Sequence, residues 1–572
     1  LIIGIPVLVT AVGGFLKKDV GASMEILVSV AMIMAVLDGQ YTLAILIPIV
    51  LTLVHFLEEK SIMGGKDAIE GLKKMQAETA LLLSDDEEKE VDAKTLAVGD
   101  IIILKPGMSL PIDGTVIKGS SSIDQKSLTG EALPKEVKTG DNVFAGTTNI
   151  EGLLHVKVDK IYKDTSFQRI VQLLEHANTI DLPETRIVDK FMMYYIPLAL
   201  VTATLVWLLT NDISKAIAML VVSCPCGHML VSSAPMISAL AAATKRGILI
   251  KNASFIEKLA EVDYVVFDKT GTITSGTLEA VKVYLADAQS EEELFSVAAS
   301  VANSSLHPTS KSIMLLCGDT EYEKGYEITE MVGKGVKGSK GDDDIYIGNY
   351  RYISSLGYDV TDEYELDGTS SWIIKNGSVL GCILFRDVQR KGAQEAVADL
   401  KKLGVKETCL LTGDNCISAQ RIVDVVKIDT MYCELLPEQK LEKVKAAQKD
   451  NTVAVVGDGI NDALALSEAD VGIAMGAMGS DTAIQSADIA LMNNNLDNIP
   501  FIIKLAEKTR GIIYQNIIIA FAISFVMIFL AASGAISAIA GAFLHNIGAF
   551  IVLVNSGRIM NGKFKADTDI RL

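Results

Sequence analysis

The run Tyr264-Val-Val-Phe267, followed at once by Asp268-Lys269-Thr270-Gly271-Thr272, constrains this chain more than any other stretch. Apolar residues in an unbroken short run, β-branched and aromatic, read as a strand buried on both faces, the signature of a parallel sheet. A carboxylate ending such a strand, before a Thr/Gly turn, stands at the carboxyl edge where open α/β sheets hold their ligands. An Asp at that edge can cap the next turn. It can also attack phosphorus and carry the phosphoryl group as an aspartyl-phosphate. What else the chain supplies decides between the two.

Two more apolar runs end in the same way, at Leu410-Leu411-Thr412-Gly413-Asp414 and at Val453-Ala-Val-Val-Gly457-Asp458. Each is followed by a helical pattern, so a doubly wound α/β domain is expected over 262–280 and 381–500, interrupted by an insert at 281–380. Strand-end carboxylates of one sheet can converge. Phosphoryl transfer needs Mg2+ to offset charge, and Mg2+ prefers one or two carboxylates plus phosphate oxygens and water. Asp268 is assigned as nucleophile and Asp458 as the main Mg2+ ligand, with Asp268 and Thr270 beside it. Asn461 and Asp462, in Asp458-Gly-Ile-Asn461-Asp462, position phosphate and metal, and Lys440 serves the phosphoryl oxygens as a cation.

Apolar runs long enough to span a bilayer fall outside these blocks. They lie before Phe15, around 22–38, from Tyr41 past His55, at Met192–Leu209, Ala216–Leu230, Ile512–Ser533 and Ala535–Val554. Lys and Arg flank one side of these runs, while the short turns Asp38-Gly39-Gln40 and Asn211-Asp212-Ile213 carry neither, so both soluble blocks are expected on the cytoplasmic side. The membrane segments are expected over 1–74, 185–250 and 510–560, with at least one more helix before Leu1. Residues 75–165 alternate polar and apolar positions between Pro-Gly and Asp-Gly turns and read as a small β domain. It carries Thr129-Gly130-Glu131, uninformative alone. A net charge of −19 argues against nucleic acid as a partner. The seven cysteines show no disulfide-framework spacing, which fits a reducing compartment for the soluble parts.

Cys224-Pro225-Cys226 lies inside the run at 216–230. Pro225 removes a helix hydrogen bond and frees a carbonyl one turn earlier. Two thiols beside that break can be small apolar packing or face one point as soft-metal ligands, and thiolates select Zn2+, Cd2+ or Cu+ over Ca2+ or Mg2+.

Taken together, Asp268-Lys-Thr-Gly-Thr272, Thr412-Gly-Asp-Asn415, Gly457-Asp-Gly-Ile-Asn-Asp462 and Thr129-Gly-Glu131 resemble a P-type ATPase over essentially the whole chain. With Cys224-Pro-Cys226 and Gly13-Gly14 the likeness is to the heavy-metal (P1B-type) pumps, nearest the zinc, cadmium and divalent transition-metal exporting branch. The resemblance implies a transmembrane helix bundle, a β-rich actuator domain, a haloacid-dehalogenase-like α/β phosphorylation domain and an inserted α+β nucleotide-binding domain. It implies that Lys269, Thr412, Gly413 and Asp414 belong to the catalytic edge and that Glu131 directs the hydrolytic water. His307, Gly333, Gly335, Gly348 and Asn349, with Asp387 and Arg390, would hold ATP. Thr270 replaces the acid that related phosphatases carry two residues after the nucleophile, which would let the intermediate persist.

Departures remain. Ser524 stands eight residues after Asn516, where that branch carries Lys, and His545 stands ten before Asn555, where it carries Asp. With Cys224, Cys226 and His545 as ligands, Zn2+ or Cd2+ comes first, and Co2+, Ni2+ or Mn2+ stays open. The expectation is a monomeric exporter in a bacterial plasma membrane, in contact with lipid and its cargo ion. The alternatives are a Cu+ exporter or a membrane-anchored phosphatase.

Overall fold

In a computed structural model the described residues are 24–49, 76–84, 87–126, 134–168, 171, 183–223, 226–286, 289–305, 308–318, 320–331, 334–361, 368–459, 462–476 and 481–561. The Asp268 strand, Tyr264–Asp268, is central in a seven-stranded sheet. Glu407–Leu411 and Val453–Gly457 flank it, both parallel, and the order continues to Thr430–Tyr432 on one side and Val471–Ala474, Ile489–Leu491 and Ile248–Ile250 on the other. Only the outermost strand, Ile248–Ile250, runs antiparallel, against Ile489–Leu491. Val265, Phe267, Val453 and Val456 are fully buried, as strands covered on both faces require. The register pairs Asp268 with Leu411 and Phe267 with Val456, so the loops after all three strands open at one edge.

The insert is an antiparallel sheet of six strands, ordered Thr274–Leu285, Ser378–Gln389, Thr369–Lys375, Asp343–Gly348, Gly335–Lys340 and Glu327–Met331. Helices Glu291–Ala302 and Pro308–Cys317 pack into its core. Its first and last long strands pair with each other, so the boundaries expected at 280 and 381 fall inside strands. The sheet runs from Thr274 to Gln389, and the two crossing segments hydrogen-bond together. The 75–165 region is β-rich as expected, with a six-stranded and a three-stranded sheet around Ile102, Leu104, Val116 and Val156.

Helix Asn498–Ser533 begins in the core of the seven-stranded domain, where Ile499, Ile502 and Leu505 are buried, and continues into apolar sequence. It and Ala538–Met560 are the two helices among the described residues that are long and apolar enough to cross a membrane. Shorter apolar helices cover Ile26–Leu37, Tyr194–Thr210, Ile213–Val222 and Leu230–Thr244. Phe525, Phe529 and Phe550 stand at least two-thirds exposed, an outward apolar surface that suits hydrocarbon and not water.

Asn516 is the centre of a paired polar cluster inside this bundle. Pro235 lies within helix Cys226–Thr244 and has no N–H to give to the Val231 carbonyl four residues earlier. The fully buried Asn516 donates to that carbonyl (3.4 Å) and to Ser556 Oγ (3.1 Å), and accepts from Asn555 Nδ2 (2.9 Å). One side chain thus ties three helices at a place where Pro had freed an acceptor. Asn516→Leu is expected to lower thermal stability in detergent by about 1–3 kcal/mol, the cost of stranding such groups. Adding Pro235→Ala, which restores an N–H to Val231, should recover part of that loss; no recovery would show that the Val231 contact carries none of it.

Candidate functional site

The loop after Asp268 reverses tightly, with Gly271 at φ +74. A side chain there is excluded twice, by that backbone and because a Cβ would lie 2.9 Å from Asp458 Oδ2. Arg390 fixes the loop from outside. Its Nε donates to Thr272 O (2.9 Å) and its Nη2 to Gly271 O (2.6 Å). Asp268 is 7% exposed, and its Oδ1 accepts from Lys440, whose ammonium is held at the start of helix Pro437–Ala447. Burial pushes the Asp268 carboxyl above the usual carboxylate range, the Lys440 charge opposes this, and Asp458 adds to it.

Behind this pair Asp462 accepts from Gly459 N (3.0 Å) through Oδ1, while its Oδ2 is buried without a partner. Gly457 makes room for it, since a Cβ there would fall 1.3 Å from Oδ2. Burial first, then the neighbouring Asp268 and Asp458 charges, raise Asp462 to about 7. Three carboxylates around one ammonium, one of them with an orphaned buried oxygen, fit an oxygen-seeking divalent cation such as Mg2+. The residues present suit that metal, with Asp268, Asp458 and Asp462 as the candidate holders.

Lys269 points away from the nucleophile. It pairs with Asp387 (2.7 Å) and with Asp414, and although burial pushes its ammonium down, the two carboxylates hold it above the ordinary lysine value. Thr412 is buried, and its Oγ1 accepts from Asp414 N (3.1 Å). Gly413 leaves its loop close to Leu435 O. Asp387 and Arg390, expected at the return into the phosphorylation domain and among the nucleotide-binding residues, lie at this edge. They end the long strand Ser378–Gln389, which returns the chain to the phosphorylation loop, and they hold Lys269 and the 271–272 carbonyls.

In the insert, Gly335 and Gly348 are register partners, and a Cβ on Gly335 would meet Ile347 O at 2.1 Å. Asn349 caps helix Tyr350–Ser355, accepting from Tyr352 N (2.9 Å). Thr129, Gly130, Glu131, Cys224, His307, Gly333 and Asn461 lie outside the described residues, as do the side chains of Cys226 and His545.

Sequence spacing also missed a cysteine pair. Cys416 and Cys433 form a disulfide with Cα atoms 5.2 Å apart, brought together because Glu407–Leu411 and Thr430–Tyr432 are neighbouring parallel strands. Gly271 and Gly457 were missed as site residues, although a glycine beside each strand-end Asp was the available signal.

The P-type ATPase actuator domain family matches residues 74–175, and the haloacid dehalogenase-like hydrolase family matches 262–470. A cadmium-transporting ATPase of Staphylococcus aureus is 35% identical over 95% of this chain and 78% of its own length. The chain belongs to the P-type ATPases. A zinc-transporting ATPase of a Synechocystis species is 33% identical over 98% of this chain and 79% of its own. The crystal structure of a zinc-transporting PIB-type ATPase in the E2.Pi state superposes with TM-score 0.64 at 31% identity, covering 97% of this chain and 93% of the other.

For this ATPase the raised Asp462 gives a signed pH dependence. The folded, metal-free chain takes up a proton on Asp462 at a pH where the unfolded chain, with an ordinary value of 3.8, is already ionised. That contribution is full below about 3.8, falls as pH rises, and is gone above about 7. Thermal unfolding in chelator should therefore lose stability across that window, and Asp462→Asn should flatten it; an unchanged slope in the variant would assign the dependence elsewhere. Removing the Lys440 charge (Lys440→Ala) should lower turnover by about 10²-fold, the cost of one preorganised charge-stabilising donor, as read in steady-state ATP hydrolysis.

Proposed function

We propose that this ATPase exports a divalent transition metal, Zn2+ or Cd2+ ahead of Co2+, Ni2+ or Mn2+, driven by an aspartyl-phosphate at Asp268. The buried Asp268–Lys440 pair among the carboxylates at the sheet edge carries the reading. Asp268 Oδ attacks the γ-phosphorus of ATP, and ADP leaves with the former bridging oxygen. Lys440 offsets charge on the transferred group, and the Asp387–Lys269–Asp414 chain keeps the Asp268 loop in place. Mg2+ bound by the carboxylate cluster would supply further neutralisation of phosphate charge. Because residue 270 is Thr, no side chain of the loop acts as a general acid for immediate hydrolysis, and the phosphoenzyme survives until Glu131 of the actuator region orients water.

Within this reading 75–165 is the actuator, 262–280 with 381–500 the phosphorylation domain, and the insert the nucleotide-binding domain holding ATP near His307, Gly333, Gly335, Gly348 and Asn349. The cargo is proposed to bind at Cys224 and Cys226, where the chain leaves helix Ile213–Val222 and enters Cys226–Thr244, with His545 as a further ligand. A break between two apolar helices suits a ligand site, because Pro225 has no N–H to give to helix pairing and so leaves a carbonyl one turn earlier to be satisfied otherwise. Support comes from the names of relatives, cadmium- and zinc-transporting. The setting is a bacterial plasma membrane with the soluble domains in the cytoplasm and the chain acting as a monomer.

Purified protein is expected to hydrolyse ATP fastest with Zn2+ or Cd2+ in a panel with Co2+, Ni2+, Mn2+ and Cu(I). Asp268→Asn should abolish the acid-stable phosphoenzyme, and the Cys224→Ala/Cys226→Ala pair should abolish metal stimulation. Stimulation by Cu(I) alone would refute the cargo ranking in favour of the copper exporter.

A further inference from the structure

The Cys416–Cys433 disulfide stands beside the phosphorylation site and takes no part in the mechanism. Cys416 opens helix Cys416–Val426, two residues after Asp414. Cys433 follows strand Thr430–Tyr432, four residues before Pro437 begins the Lys440 helix. The bond therefore joins the segment that anchors Lys269 to the segment that carries Lys440. On the first side Lys269 is held by Asp414 and by Ser418 Oγ (3.4 Å), in the first turn of the Cys416 helix. From the second, Lys440 reaches Asp268 Oδ1. Backbone hydrogen bonds run between the same segments, from Thr412 N to Tyr432 O (3.0 Å), Glu434 N to Asp414 O (2.9 Å) and Leu435 N to Thr412 O (3.1 Å). Glu434, next to Cys433, is held at φ +55, a left-handed backbone that residues other than glycine rarely adopt.

The sulfur is open to chemistry. Cys416 is exposed and Cys433 half-buried, whereas the free cysteines among the described residues, Cys317, Cys382 and Cys409, are buried. An exposed disulfide can be attacked by a thiolate, and the start of a helix favours the thiolate that its reduction releases. Disulfides in a reducing compartment are as a rule transient, catalytic or redox-sensing. Phosphorylation also makes this junction one that has to move. The Asp268 carboxylate is in contact with Lys440, and a phosphoryl group built on Asp268 needs that space, so the Lys440 helix must yield. A covalent tie four residues ahead of that helix restrains it.

We infer that Cys416 and Cys433 form a thiol switch, which slows phosphorylation of Asp268 when oxidised and releases it when reduced. The co-reactant is a low-molecular-weight disulfide of the glutathione class. The Cys416 thiolate attacks one of its sulfurs, that S–S bond breaks, and one small thiol leaves with a proton. The Cys433 thiolate then attacks Cys416 Sγ in the mixed disulfide and displaces the second small thiol. Both cysteines are oxidised, the small disulfide is reduced to two thiols, and excess thiol drives the steps backward. The inference rests on the proposed phosphorylation of Asp268 in a cytoplasmic domain and adds regulation to it.

The test uses the full chain in detergent, treated with dithiothreitol or with oxidised glutathione and freed of either by gel filtration before ATP is added. The wild-type chain is expected to form acid-stable phosphoenzyme about tenfold faster after reduction, a smaller effect than the roughly 10²-fold that an ångström's misplacement can cost. Peptide mapping should find the 416–433 bond in the oxidised sample alone. The Cys416→Ser/Cys433→Ser pair should phosphorylate at the reduced rate after either treatment. Cys416→Ala alone, which also cannot form the bond, carries the same expectation should the double variant fail to fold. Equal rates in the two wild-type samples, or a bond that survives dithiothreitol, would overturn the switch. So would a redox response that persists in the variants, which would assign it to other cysteines. Absence of phosphoenzyme in both wild-type samples would sink the Asp268 reading and the switch with it, a result distinct from equal rates.

Discussion

The crowding of Asp268, Asp458 and Asp462 around one ammonium is the constraint on which the phosphorylation domain is built. Like charges at close range in a buried site raise one another's proton affinity. The chain answers with Lys440 against Asp268, a proton held on Asp462 up to about pH 7, and a metal-suited gap at Asp462 Oδ2. Local backbone choices follow from the same crowding. Glycine is forced at 271 and 457 because a Cβ would occupy the space of the Asp458 and Asp462 carboxylates. Arg390 spends its donors on loop carbonyls and so stiffens the loop without bringing a second cation to the nucleophile. Lys269 is likewise neutralised by Asp387 and Asp414, which leaves Lys440 as the cation facing Asp268 among the described residues.

Helix Asn498–Ser533 links that domain to the apolar helices. Its first turns belong to the core that holds Val265, Phe267 and Val456, and helices Ser254–Leu259 and Ala393–Lys402 pack against it. Further along, Asn516 on the same helix holds the Val231 carbonyl and Ser556. A rearrangement at the sheet edge therefore has an unbroken, hydrogen-bonded element along which to act. Arg246, at the end of the thiol-bearing helix, stacks over Phe501 (4.0 Å to the ring centre) and ties the same two elements together on the domain side.

Local sequence signals made part of this arrangement legible and left part of it hidden. Buried parallel strands announce themselves as unbroken apolar runs, so Tyr264–Phe267, Leu410-Leu411 and Val453–Val456 could be placed, and with them the edge that collects Asp268, Asp414 and Asp458. Roles that depend on what a side chain meets across the fold could not. Nothing local in Arg-Asp387-Val-Gln-Arg390 says that both charged residues turn toward the 268–272 loop, because that follows from pairing of Ser378–Gln389 with Thr274–Leu285 over more than a hundred residues. The Cys416–Cys433 bond was hidden for the same reason, as was the overrun of insert strands past 280 and 381. Asn516 looked like a marker for counting to Ser524, and its work on the carbonyl freed by Pro235 appears only once three helices are side by side.

The two ends of this ATPase use one physical device. In the soluble domain, reactive carboxylates stand where strands stop pairing and backbone groups turn outward. In the apolar bundle, Cys224-Pro225-Cys226 falls in the sequence between the end of helix Ile213–Val222 and the first turn of helix Cys226–Thr244. Water can repair the first discontinuity, but hydrocarbon cannot repair the second. The bundle must therefore supply partners from its own side chains, as Asn516 does for Val231, or leave them for an ion to satisfy. A break in a helix at that depth is tolerable in proportion to how well the polar groups it frees are matched within the bundle.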